Sequence, residues 1–101
     1  MTAKYVPLAT GSSPAVPEIP GLAAAGVLTN EDVFPLDRLP ARLAVLGGGP
    51  VGAELAQALA RLGSEVTVLT RAVGLLPRED PELVALLTER FAAEGSASRL
   101  A

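Results

Sequence analysis

The clearest pattern along the chain is an apolar run, a glycine cluster and a helical repeat, which together occupy residues 43–70. Residues 43–46 are all apolar, as expected for a strand that is covered on both faces in a parallel sheet. Residues 65–70 read as a second strand. Between the two, apolar residues recur at helical spacing and Gly63 follows as a C-terminal cap. The helical apolar positions are Val51, Leu55, Leu59 and Leu62. The pattern predicts a compact βαβ unit.

The flanking segments are less regular. Residues 4–9 have strand character although they include Pro7, and residues 15–26 carry enough Pro and Gly to predict an extended crossover. Asp80 before Pro81 predicts the start of a second helix. Its apolar stripe, which we expect to cover a sheet, is Leu83, Leu86, Leu87 and Phe91. Residues 96–101 show neither a strand pattern nor a turn signal, so we expect a disordered tail there.

These segments predict an α/β fold. We expect a Rossmann-like βαβ unit that forms part of a doubly wound parallel sheet. The sheet would be incomplete, and the extended crossover would precede it. The expected divisions are residues 1–40, residues 41–95 and the tail 96–101.

The glycine cluster carries candidate chemistry. Gly47, Gly49 and Gly52 have the spacing of a dinucleotide-binding fingerprint between strand and helix. The first glycine permits a tight turn, the second lets a pyrophosphate approach the backbone, and the third lets helix and strand pack closely. The positive end of the helix then favours a phosphate. The alternative is a glycine turn with a purely structural role.

Composition narrows the function further. Half of the 101 residues are hydrophobic, the net charge is −3, and the chain has neither Cys nor His. A thiol redox pair, an imidazole base and an ordinary metal cluster are therefore not available from this chain, and we expect no catalytic residue and no metal site in it. Acidic charge with few aromatic residues argues against nucleic acid as a partner. Short apolar runs without a signal segment predict a cytoplasmic chain with no membrane association.

Several linked motifs resemble one family, the flavin-containing pyridine nucleotide-disulfide oxidoreductases, which include mercuric reductases and dihydrolipoamide dehydrogenases. The motifs, in order, are Leu-Ala-Thr-Gly-Ser at 8–12, Ile-Pro-Gly-Leu at 19–22, the glycine cluster at 47–56, Leu-Gly-Ser-Glu-Val-Thr-Val at 62–68 and Pro-Arg-Glu-Asp-Pro at 77–81. The resemblance implies hydride transfer from NAD(P)H to FAD, and then to a disulfide or a mercuric ion.

The resemblance also implies roles for particular residues. Thr10 and Gly11 would approach FAD through their backbone, whereas without the other motifs they read as an ordinary turn. Glu54 matches an acid that lies near the flavin in the family. Its simpler interpretation is a carboxylate in the first turn of a helix, where it complements the helix dipole.

Other parts of the family pattern are not found in these residues. The flavin-binding glycine motif, the cysteine pair and the dimerisation domain have no counterpart, so we expect an excerpt or truncated product that is not catalytically competent alone. The alternatives are a non-enzymatic polypeptide that at most binds a dinucleotide, and a non-redox Rossmann unit such as a methyl-donor binder. Uncovered sheet edges predict self-association or contact with the missing segments of a parent homodimer.

The end of the second strand bears on the choice of nucleotide. An acid there selects NAD by binding the ribose hydroxyl, whereas an Arg accommodates the extra phosphate of NADP. This chain has Thr70 followed by Arg71, which favours NADP, with NAD as the alternative. An Arg in a solvated loop is the structural alternative. The residues predicted to bind cofactors are Thr10, Gly11, Gly47, Gly48, Gly49, Pro50, Val51, Gly52, Glu54, Thr70 and Arg71.

Overall fold

The structure, a computed structural model, describes residues 2–71, 73–94 and 97–100. The chain forms two compact units, Met1–Pro35 and Leu36–Ala101. The division lies five residues before the expected one at residue 40. Leu36–Ala101 includes the approach to the first strand because Ser64 Oγ donates a hydrogen bond to the Pro40 carbonyl at 2.6 Å and the Glu65 N–H donates to the Ala41 carbonyl at 2.9 Å.

The N-terminal unit has little regular structure. Its helix is a single 3₁₀ turn, Ala23–Ala25, which Gly26 ends with φ 76°. The strand expected at residues 4–9 is not formed, and residues 5–10 have no regular secondary structure. Pro7 offers no N–H for a ladder, which explains why this segment stays outside a sheet. Of the crossover expected at residues 15–26, residues 15–19 have no regular secondary structure, whereas residues 20–25 form turns and the 3₁₀ helix.

The C-terminal unit contains the predicted βαβ unit. Its elements are β1 (Arg42–Leu46), α1 (Pro50–Arg61), β2 (Glu65–Thr70), α2 (Pro81–Ala93) and β3 (Ala97–Leu100). The three strands are parallel in the order β1-β2-β3, and Val45 lies opposite Val68 in the register. Parallel neighbours joined through helices are the arrangement of a doubly wound sheet.

Strand β3 corrects the prediction of a tail without structure. Ala97–Leu100 pairs with β2 from Thr67↔Ala97 to Thr70↔Leu100. Residues 96 and 101, which belonged to the same prediction, lie outside the described residues. The sequence 97–100 has no apolar run, but the crossover through α2 returns the chain to the free edge of β2, where backbone groups need partners.

The core lies between β2 and the helices. Val66 and Val68 are fully buried, and Phe91 from α2 is 1% exposed. Small residues form much of the buried face of α1, which comprises Ala53, Ala56 and Leu59. Small side chains let the helix approach the sheet closely, which explains why the alanines rather than the larger apolar residues face inward.

Two expectations about burial are corrected, and the helical spacing of apolar residues does not mark the buried face of α1. Val51 in α1 is 56% exposed, and Leu62, the C-cap that follows α1, is 70% exposed. In α2, Phe91 is buried but Leu83 and Leu86 are exposed, so half of the predicted stripe does not cover the sheet. Burial on both faces is also not found for β1, where Leu46 is 44% exposed, because β1 is an edge strand in this sheet.

A charged cluster joins the C-terminal ends of the two helices. Glu94 caps α2 and accepts hydrogen bonds from Arg61 Nε and Nη2, both at 2.9 Å, and from Gln57 Nε2 at 3.0 Å. The hydrogen bonds from Arg61 lower the pKa of Glu94, and the bond from Gln57 contributes in the same direction. The same contact raises the pKa of Arg61. The cluster fixes α2 against α1.

Across the described residues, neither helix combines the length and apolar character that a membrane-spanning segment requires.

Candidate functional site

The site centres on a glycine turn, Gly47–Gly49, between β1 and α1. Gly47 has φ 112°, a value that side chains rarely permit, and its N–H extends the sheet by donating to the Leu69 carbonyl at 2.8 Å. Gly49 is the N-cap of α1, and its carbonyl accepts the first helical hydrogen bond from the Ala53 N–H at 2.9 Å. Since Pro50 has no N–H, Val51 and Gly52 supply the first amides of the helix.

The three fingerprint positions have different surroundings. A Cβ at Gly52 would overlap the carbonyl oxygen of Gly47, so only glycine lets α1 approach the turn this closely. A Cβ at Gly49, in contrast, would have no atom of the described residues within 4 Å. The turn is therefore closed toward the sheet at Gly52 and open at Gly49, which is the arrangement that a pyrophosphate needs.

The second glycine of the cluster, Gly48, is buried. A Cβ there would lie 3.2 Å from the Gly74 carbonyl and 3.3 Å from both Cβ and Oγ1 of Thr70. Gly48 thus packs between the end of β2 and the loop that follows it. Its expected role, direct contact with a nucleotide, remains a prediction.

The loop between β2 and α2, residues 71–80, returns to the glycine turn. The Leu76 N–H donates to the Gly48 carbonyl at 2.7 Å, and the Glu79 N–H donates to the Leu76 carbonyl at 3.0 Å. Asp80 then begins α2, since its side chain accepts from the Glu82 N–H at 2.9 Å. The predicted N-cap at Asp80 is confirmed.

The turn and the loop line a cavity of about 430 Å³ that is open to solvent on one side, here called the glycine-turn cavity. Its lining residues are Gly48, Gly49, Pro50, Thr70, Leu76, Pro77, Arg78 and Glu79. The helix N-terminus and Arg78 favour an anion, and Arg can bind a phosphate through two parallel hydrogen bonds. Glu79 adds a hydrogen-bond acceptor that suits a sugar hydroxyl.

The structure brings some predicted residues into this cavity and leaves others outside it. Gly48, Gly49, Pro50 and Thr70 line it. Arg71 is exposed and is not among the described lining residues. Residues Arg78 and Glu79 were missed, although they lie in the Pro-Arg-Glu-Asp-Pro motif. The proximity of that motif to the glycines could not be deduced from spacing along the chain.

Glu54 lies elsewhere. It is the fifth residue of α1 and therefore beyond the first turn, which corrects the interpretation based on the helix dipole. Its side chain is exposed and borders a second cavity of about 480 Å³ between α1 and α2. Pro50, Leu76 and Glu79 line both cavities, so Glu54 lies on the far side of the wall that these residues form.

Thr10 and Gly11 belong to the N-terminal unit. Both are exposed, and Gly11 has φ 79° with no atom of the described residues within 4 Å of an added Cβ. An exposed backbone at this position is compatible with approach by a flat ring or a phosphate. Contact of these two residues with FAD remains a prediction.

Comparison with known proteins decides the family. The pyridine nucleotide-disulphide oxidoreductase family matches residues 1–100. The chain belongs to this family. Mercuric reductase from Serratia marcescens is 49% identical over 88 residues, which cover 87% of this chain and 19% of that protein. Members of the family are FAD-dependent oxidoreductases, so the predicted family and α/β fold are confirmed.

Solved structures agree with this assignment. An HOCl-induced flavoprotein disulfide reductase from Escherichia coli superposes with a TM-score of 0.84 at 36% identity, over 91% of this chain and 21% of that one. The chain spans about a fifth of the length of these two relatives.

A more distant member was solved with a nucleotide. An engineered water-forming NADPH oxidase bound to NADPH has a TM-score of 0.57 at 26% identity, over 59% of this chain and 14% of that one. Its substitutions include an aspartate replaced by alanine and the next residue, an alanine, replaced by arginine.

Proposed function

We propose that the C-terminal unit binds the pyrophosphate of NADPH or NADH, as the nucleotide-binding portion of an FAD-dependent oxidoreductase. The observation that carries this proposal is the asymmetric glycine turn. Its backbone is closed toward the sheet at Gly52 and open at Gly49, where the helix begins. A pyrophosphate at this opening would receive hydrogen bonds from the first amides of α1 and lie at the positive end of the helix.

We infer a preference for NADPH over NADH from charge at the carboxyl end of β2. Thr70 stands where an acid would select NAD, and two arginines lie in the following loop, Arg71 in solvent and Arg78 at the cavity. The substitutions in the engineered NADPH oxidase produce a similar pair of features, since they remove an acid and introduce an arginine next to it. Glu79 also lines the cavity, and its carboxylate would accept a hydrogen bond from a hydroxyl of the nicotinamide ribose, which carries no extra phosphate.

The family assignment extends the proposal to the parent activity. FAD, when bound, would accept a hydride from NADPH and pass electrons to a disulfide or a mercuric ion. In this chain, Thr10 and Gly11 would supply backbone contacts to the flavin nucleotide, and Glu54 would lie toward the flavin. The chain would also contact a second copy or other segments of a homodimeric parent, because β1 leaves a sheet edge unpaired among the described strands. A cytoplasmic location, without nucleic acid or membrane as partner, completes the proposal.

Calorimetric titration of the 101-residue chain with NADPH and with NADH tests the proposed function. We expect saturable binding of both nucleotides at one site, with NADPH binding more tightly. Adenosine alone is the matched control, because it lacks the pyrophosphate and should bind far more weakly. Equal affinity for adenosine and NADPH would contradict a site built on the glycine turn, and tighter binding of NADH would contradict the assigned preference.

A further inference from the structure

Leu76 has a backbone conformation that needs an explanation. Its φ of 48° lies in the left-handed region, and among the described residues it is the one non-glycine residue with a positive φ. Leu, a bulky residue, rarely adopts this conformation, which persists only where surrounding contacts enforce it. Contacts on both sides of Leu76 therefore have to hold it in place.

Those contacts lead to the glycine turn. The Leu76 N–H donates to the Gly48 carbonyl at 2.7 Å, and its own carbonyl accepts from the Glu79 N–H at 3.0 Å. Its side chain is half-buried and lines the glycine-turn cavity and the cavity between α1 and α2. In the left-handed conformation, the Leu76 amide thus donates a hydrogen bond to the glycine turn while the Leu76 side chain separates the two cavities.

The hydrogen bond acts on the peptide group between Gly48 and Gly49, two residues that line the glycine-turn cavity. The Gly48 carbonyl and the Gly49 N–H belong to one trans peptide, so they point in opposite directions. When Leu76 holds the carbonyl, the Gly49 N–H must point away from the Leu76 amide, and the peptide cannot flip without breaking this hydrogen bond. Gly48 is buried, and the Gly74 carbonyl lies 3.2 Å from the position that an added Cβ would occupy, so the loop packs closely against this peptide.

We propose that Leu76 is a positioning residue, whose backbone N–H fixes the peptide between Gly48 and Gly49 in the orientation that receives a pyrophosphate. The effect on a nucleotide rests on the proposed function. The hydrogen bond itself, however, exists without a ligand, and the two parts can be measured separately.

Two substitutions at the same position separate backbone from side chain. Leu76→Val makes the left-handed conformation harder to adopt, because a β-branched residue is an outlier there. Leu76→Gly adopts it freely and keeps the N–H donor. Leu86→Val is the matched control, since Leu86 is 63% exposed on α2 and is not among the described residues that line either cavity.

Amide hydrogen exchange on the ligand-free chain is the first measurement. We expect the amide of residue 76 to be protected in the wild type and in Leu76→Gly, and to exchange about tenfold faster in Leu76→Val. The Gly49 amide resonance should shift in Leu76→Val alone. An unprotected Leu76 amide in the wild type would overturn the proposal, whatever the nucleotide does.

Calorimetric titration with NADPH is the second measurement. We expect Leu76→Val to bind about tenfold more weakly, because the left-handed conformation costs a β-branched residue more than it costs Leu, while Leu76→Gly stays within about threefold of the wild type. Equal weakening by both substitutions would show that the side chain matters rather than the backbone, and would overturn the proposal. The wild type could also show a protected Leu76 amide and bind neither nucleotide. That result would overturn the proposed function and the role of Leu76 in nucleotide binding, while the hydrogen bond from Leu76 to Gly48 would stand.

Discussion

The Cα of Gly52 faces the carbonyl oxygen of Gly47 so closely that no side chain fits between them. The oxygen cannot move away easily, because Gly47 is tied to β2 by the hydrogen bond from its N–H to the Leu69 carbonyl at 2.8 Å. The contact sets the distance between α1 and the end of β1. The glycine at 52 therefore has a packing role, whereas Gly49 leaves space for a ligand.

Gly52→Ala should destabilise the fold. Ala in a helix interior would by itself add about 0.5–1 kcal/mol of stability, but overpacking against a fixed backbone typically costs about 1–3 kcal/mol. We therefore expect a lower free energy of unfolding in urea. Gly49→Ser is the control, since its Cβ enters open space and serine is favoured at an N-cap, so it should change stability less. An unchanged or higher stability of Gly52→Ala would show that α1 can shift without cost.

Arg78→Gln should weaken NADPH binding more than NADH binding. Arg78 is the lining residue whose charge suits a phosphate, and a hydrogen bond to a charged group contributes about 1.5–3 kcal/mol, so we expect a loss of about tenfold or more. Arg71→Gln should act in the same direction, because Arg71 follows Thr70 at the end of β2. Calorimetric titration with both nucleotides measures the change in their ratio.

Arg38→Gln is the control for charge. Arg38 is exposed and does not line the glycine-turn cavity, so both affinities should fall slightly and equally. A parallel loss of NADPH and NADH affinity in Arg78→Gln would place Arg78 at the pyrophosphate, and would contradict its role in selecting the nucleotide.

Acid should weaken the contact between α1 and α2. The hydrogen bonds from Arg61 depress the pKa of Glu94 below its usual 4.5. The folded chain therefore holds the proton less tightly than the unfolded chain. The stability from this pair is present above the unfolded pKa and is lost as the pH falls through the folded value. We expect Glu94→Gln to lose less stability than the wild type between neutral pH and about pH 3.

Urea unfolding at several pH values measures this difference. Glu89→Gln is the matched control on the same helix, since Glu89 is exposed. Its free energy of unfolding should fall in acid in the same way as that of the wild type. An identical pH dependence for Glu94→Gln and the wild type would contradict the linkage between Glu94 and folding.

The elements of the C-terminal unit could be predicted because local signals agreed with one another. The apolar run of β1, the glycine spacing and the Asp80-Pro81 start of α2 each have a physical cause within a few residues. Strand β3 was missed because its pairing depends on the free edge of β2 and not on its own sequence. The buried alanines of α1 could not be predicted, since hydrophobic size does not show how closely a helix approaches a sheet.

The site could be predicted only in part, because local sequence signals identify the glycine turn but not the loop that packs against it. Gly48 and Gly49 stand in a recognisable motif, and the structure places both at a cavity. Arg78 and Leu76 reach that cavity through the loop conformation, which depends on the hydrogen bond from Leu76 to Gly48. Contacts across 28 residues of chain leave no local pattern in a single sequence.

The chain alone should show no NADPH-dependent reduction of disulfides or mercuric ion. In the proposed parent activity, the electrons for a disulfide or a mercuric ion would pass from the flavin through a dithiol, and the chain has no Cys. We expect no turnover when the purified chain is assayed with added FAD and NADPH. Turnover that rises in proportion to the chain concentration, after host reductases have been removed, would contradict this expectation and require a different redox centre.

The most direct test of a nucleotide site at the glycine turn is an amide NMR titration of the chain with NADPH, beside the variant Gly49→Val. The account predicts saturable shifts at Gly49, Val51 and Gly52 and in the loop at Arg78. Gly49→Val should keep its helical circular dichroism and lose these shifts, because its side chain fills the opening for the pyrophosphate. Saturable shifts confined to other residues, or unchanged NADPH affinity in Gly49→Val, would contradict the account.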